Sequence, residues 1–79
     1  MLVKKFSMNE TRRVFQFVLN GTQEECMKFI ERIEFPLEVR LAYKAIKPGE
    51  AKCSIYCPSQ SSYVELYKKI DDIIVDYII

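Results

Sequence analysis

The chain has 79 residues, a formal charge of +1 from 12 Lys or Arg against 11 Asp or Glu, no histidine, and hydrophobic residues at 49% of positions. Such a length makes one domain, 1–79, which buries only about 60% of its unfolded surface and so has a thin stability margin. The composition excludes disordered and fibrous classes, and the balanced charge argues against wrapping nucleic acid by bulk electrostatics while leaving room for a local basic patch.

Residues 1–10 read as a flexible amino-terminal arm. Residues 12–19 put Phe15, Phe17 and Leu19 on one face at a period of two, with Val14, Gln16 and Val18 opposite, which predicts a strand. Asn20-Gly21 breaks it. Thr22 and Glu25 have capping-box spacing, so a helix is expected over 23–34 with Cys26, Phe29, Ile30 and Ile33 buried. Pro36 stops that helix, because the residue before a proline disfavours helical geometry.

From Leu37 the alternation returns, with Leu37, Val39, Leu41, Tyr43 and Ala45 facing one way and Glu38, Arg40, Ala42, Lys44 and Ile46 the other. Lys47-Pro48-Gly49-Glu50 is a turn in which proline presets the first central residue and glycine supplies a positive φ at the second. Residues 51–57 alternate again, Cys53, Ile55 and Cys57 against Lys52, Ser54 and Tyr56, completing a hairpin. The serines at 59, 61 and 62 offer helix caps, Ser62 with Glu65 at capping-box spacing, and the last helix is expected to run to about residue 77.

The order β-α-β-β-α predicts an α+β two-layer sandwich, a three-stranded antiparallel or mixed sheet with two helices on one face, the hairpin's second strand lying between the other two. The alternative makes residues 72–79 a fourth strand and gives a ferredoxin-like β-α-β-β-α-β fold.

No catalytic signature is present. Cys26, Cys53 and Cys57 form no CxxC pair and fall on inward positions, so they read as reduced core thiols of a cytoplasmic protein. Without histidine a metal site is not expected, and two glycines leave no phosphate-cradling loop, so no enzyme, metal or cofactor is expected. No apolar run is long enough for a signal peptide or a membrane span.

Three surfaces are candidates for binding. The end of the last helix, Asp72-Ile73-Ile74-Val75-Asp76-Tyr77-Ile78-Ile79, spreads apolar groups round most of a helix and is expected to need a protein partner or a second copy, through Leu66, Ile70, Ile73, Tyr77 and Ile78. Val14, Val18, Ile46 and Tyr56 share the open sheet face as a second apolar patch. Lys4, Lys5, Arg12, Arg13, Arg40, Lys44 and Lys52 are candidate nucleic-acid contacts.

The stretch Phe15-Gln-Phe-Val-Leu before a capped helix, the hairpin from Val39 to Tyr56, and Ser59-Gln-Ser-Ser-Tyr63-Val-Glu-Leu66-Tyr-Lys-Lys-Ile70 leading the last helix cover nearly the whole domain. In element order and in these stretches the chain resembles the small dimerising subunit of the KEOPS complex, a family supporting threonylcarbamoyl modification of transfer RNA. The family's Ala-Leu-Arg and Asn-Ser pattern is missing, with Tyr63-Val64-Glu65 and Lys68-Lys69 in that region. The resemblance implies a scaffold without chemistry of its own, a dimer, an ATPase-like catalytic partner and indirect contact with tRNA. Two other classes fit the same features: a small phage- or mobile-element-encoded inhibitor of a host nuclease, and a weak RNA- or DNA-binding domain.

Overall fold

A computed structural model describes residues 2–35 and 38–78. The elements run β1 (Leu2–Asn9), β2 (Val14–Asn20), α1 (Gln23–Ile33), β3 (Arg40–Lys47), β4 (Glu50–Tyr56) and α2 (Gln60–Ile74). The chain is α+β, and the strands form one antiparallel sheet in the order β1-β2-β4-β3. The sheet therefore has four strands, not three, and the extra one comes from the segment expected to be a flexible arm.

A bulge explains why β1 escapes a reading by periodicity. Val3 faces Leu19 and Phe6 faces Phe17, but the register shifts between Val3 and Lys5, so two residues three apart lie on the same face. Strict alternation would put them on opposite sides. The turn into β2 uses no glycine. Asn9 Oδ1 accepts the Arg12 amide at 3.0 Å, and Arg13 takes the left-handed conformation at φ 57°.

The residues that alternate in β2 and β4 supply the floor of the core, with Phe15, Phe17, Leu19, Cys53 and Ile55 fully buried. Both helices cover this face. α1 starts at the Thr22–Glu25 capping box and buries Cys26, Phe29, Ile30 and Ile33 as its periodicity predicts. α2 is capped by Ser59 rather than Ser62; the two hydroxyls cap reciprocally, which starts the helix one turn earlier than the Ser62–Glu65 spacing suggests. Its buried stripe is Tyr63, Leu66, Ile70 and Ile74. The Tyr63 ring stacks on Phe15 at 4.6 Å, and Phe29 meets Phe17 edge-on at 5.5 Å.

The carboxyl-terminal segment neither continues the helix to residue 77 nor forms a strand. α2 ends at Ile74, and the Asp76 and Tyr77 amides donate to the Ile73 and Ile74 carbonyls at 3.1 and 2.9 Å. Tyr77 is then held from three sides. Its carbonyl accepts the Val3 amide at 2.9 Å, its ring stands edge-on to Phe29 at 4.9 Å, and its hydroxyl accepts Arg32 Nη1 at 2.8 Å. Residues 72–78 thus contain no strand, and the ferredoxin-like alternative does not arise among the described residues.

β3 begins at Arg40, later than the alternation from Leu37 suggests; Leu37 lies outside the described residues and Glu38 has φ 73°. The β3–β4 turn follows its sequence, with Gly49 at φ 83°.

Candidate interaction face

The face of the sheet turned away from the helices is organised by strand register. In the row nearest the β1–β2 turn, Asn9 faces Val14, Val14 faces Tyr56 and Tyr56 faces Arg40. The next row is Ser7, Gln16, Ser54 and Ala42. The third is Lys5, Val18, Lys52 and Lys44. At an interstrand spacing of about 4.8 Å, three lysines from three strands share one row across the sheet, with Val18 between Lys5 and Lys52.

Alternation also leaves this face nearly free of carboxylates. Glu50 is its one acidic residue among the described residues, at the far end, and it is already held by Lys4 at 3.3 Å and Lys47 at 3.8 Å. Lys5, Lys44 and Lys52 have no ion pair among the described residues. The two helices are close to balanced, with Glu24, Glu25, Glu31, Glu65, Asp71 and Asp72 against Lys28, Arg32, Lys68 and Lys69. The net charge of +1 therefore hides a basic concentration on the open sheet face.

Ser7, Met8, Asn9, Arg12, Gln16 and Tyr56 line a shallow depression of about 600 Å³ over the first two rows, floored by Val14. Tyr56 is 45% exposed, shares this depression with Arg12 and stands opposite Arg40 on the neighbouring strand. A second depression, over Lys5, Ser7, Gln16, Val18 and Lys52, continues it to the lysine row.

The expected nucleic-acid contacts thus divide. Lys5, Arg12, Arg40, Lys44 and Lys52 converge on this face. Arg13 instead closes the β1–β2 turn, donating Nε to the Cys57 carbonyl at 3.4 Å while its own carbonyl accepts the Cys57 amide at 3.0 Å, and Lys4 belongs to the Glu50 pair. The expected apolar patch divides as well. Val14 and Tyr56 adjoin and Val18 is half-buried in the lysine row, but Ile46 is the extra residue of a bulge between Ala45 and Lys47 and joins Tyr43, Ala45 and Pro48 at the hairpin end.

Of the carboxyl-terminal partner residues, Leu66 and Ile70 belong to the core and present nothing to a partner. Ile73 and Tyr77 are half-buried against that core, and Ile78 is exposed. The apolar surplus of the segment is therefore met only in part inside the chain: the turn after Ile74 folds Tyr77 onto Phe29, whereas Val75 and Ile78 stay 67% and 50% exposed.

All three cysteines are free and buried, and burial pushes each thiol up, Cys53 to about 12. Among the described residues no cluster of three Cys, Asp or Glu could hold a metal ion, and no helix is long and apolar enough to cross a membrane. Neither a protein-family model, a curated protein nor a solved structure matches the chain.

Proposed function

We propose that the chain is a non-catalytic binding module whose open sheet face takes single-stranded nucleic acid. The observation that carries this reading is the row of Lys5, Lys52 and Lys44, drawn from three strands and left without carboxylate partners among the described residues. Uncompensated cations on a rigid sheet form an electrostatic track for a phosphate backbone, and an exposed aromatic ring beside it offers a stacking platform for a base. Tyr56 is that ring, with Arg12 in the same depression, Arg40 opposite it on the neighbouring strand, and Gln16 and Ser7 able to hydrogen-bond base edges.

Fluorescence anisotropy with labelled oligo(dT) and oligo(U) tests the reading. Binding should weaken with salt at a slope of log K against log[salt] of about −2 to −3, as expected for three or four phosphate contacts on a single strand. Lys52→Ala should reduce that slope by about 0.7, whereas Tyr56→Ala should lower affinity roughly tenfold or more with the slope kept. No binding at low ionic strength, or equal binding of polyglutamate, would overturn the assignment; equal polyglutamate binding would reassign the face to an acidic protein.

The scaffold reading has one specific observation in its favour, the outer side of β3, which pairs with nothing among the described residues.

A further inference from the structure

The depression floored by Val14 is lined chiefly by hydrogen-bond donors. Asn9 Oδ1 accepts the Arg12 amide at 3.0 Å, and a backbone N–H can only donate, so the oxygen of the Asn9 side chain is tied into the turn and its amino group is not. Arg12 carries a guanidinium, which donates and never accepts. Ser7, Gln16 and the Tyr56 hydroxyl can do either. Among the described residues no carboxylate lines this space. Glu10, which follows Asn9 in the turn, instead accepts Gln60 Nε2, at the start of α2, at 3.5 Å.

Such a lining suits a base edge that carries acceptors alone, and the bases differ in this respect. Guanine presents N7 and O6 side by side, both acceptors, whereas adenine sets an amino donor beside N7 and cytosine offers an amino donor. An amino group placed here would meet other donors. Thymine presents a single carbonyl on the same edge, while a guanidinium fork takes both guanine atoms at once.

We infer that this depression reads guanine, the base stacking on Tyr56 while the Arg12 fork and the Asn9 amino group donate to O6 and N7. A volume of about 600 Å³ has room for a purine, and Val14 gives it an apolar floor. The inference rests on the nucleic-acid reading of this face. It adds a base identity that the lysine row cannot supply, because phosphates are common to every sequence.

Anisotropy with short oligo(dT) strands carrying one central guanine, adenine or cytosine tests it. Guanine should bind roughly tenfold tighter than adenine or cytosine, as one bidentate contact gives. Inosine, which keeps O6 and N7, should match guanine, and 7-deazaguanine, which lacks N7, should fall toward adenine. Arg12→Lys keeps the charge and removes the fork, so oligo(dT) affinity and its salt dependence should stay in place while the guanine preference disappears. Asn9→Asp can still accept the Arg12 amide but sets a carboxylate in the depression, and should remove the preference as well. Thermal melts check that both variants fold. Equal affinity for every central base, with the salt slope kept, would overturn the guanine assignment and leave the nucleic-acid reading standing; no binding of any strand would overturn both. A guanine preference that survives Arg12→Lys unchanged would also overturn the assignment.

Discussion

Lys44 and Lys52 stand directly opposite one another on neighbouring strands of the open sheet face, with no carboxylate to separate them. Like charges in that position cost stability. Replacing Lys52 by Glu should therefore stabilise the folded chain, by about 1 kcal/mol, while weakening nucleic-acid binding. Urea denaturation and anisotropy on the same preparation check both. A variant losing stability and binding together would show that the lysine serves the fold.

Tyr63 offers a second case in which the native residue is not the most stable one. Its ring is buried against Phe15, yet its hydroxyl has no hydrogen-bond partner among the described residues. A buried, unpaired hydroxyl carries a desolvation cost that phenylalanine lacks. Tyr63→Phe should keep the stacking and raise stability by up to about 1 kcal/mol, read as a shift of the urea midpoint without change of slope.

The carboxyl-terminal residues should separate by burial rather than by hydrophobicity. Leu66→Ala should cost about 2–5 kcal/mol, as for other core leucines. Tyr77→Ala, which removes the Phe29 contact, the Arg32 hydrogen bond and the stacking of the Arg32 guanidinium at 5.4 Å, should cost about 2 kcal/mol. Ile78→Asp, at an exposed position, should stay within about 0.5 kcal/mol. Chemical denaturation of the three variants orders them; a large loss at Ile78 would show that it serves the chain's own core.

Alkaline pH should destabilise the folded chain. Burial raises Cys53 from the ordinary 9.0 to about 12 and pushes Cys26, Cys57 and Tyr43 upward as well. Between those values the unfolded chain has released protons that the folded chain retains, so stability falls with rising pH. The contribution is intact below about pH 9 and is lost progressively toward pH 12. Denaturation midpoints across that window check the sign, and thiol reagents at neutral pH should react with the native chain only as fast as it opens.

The elements legible in the sequence are those whose periodicity is unbroken. Phe15-Phe17-Leu19 alternates because β2 is regular, and Cys26, Phe29, Ile30 and Ile33 recur at helical spacing because α1 is capped where Thr22 and Glu25 predict. β1 was hidden by its bulge, since a displaced register at Lys4 erases the alternation that marks a strand; the Asn9 turn was the one signal that could have found it. Ile46 was misplaced for the same reason at the other edge.

Sequence alone determined which segments are apolar, where the helices begin, and that no histidine is present to serve as base or metal ligand, because these are local properties of residue type and spacing. Tertiary structure alone decided that Lys5, Lys52 and Lys44 share a row, that Leu66 and Ile70 are spent on the core, and that Tyr77 turns back onto Phe29 and Val3. Those outcomes depend on register between strands far apart in the chain and on the turn after Ile74. Neither is written into the period of any single segment.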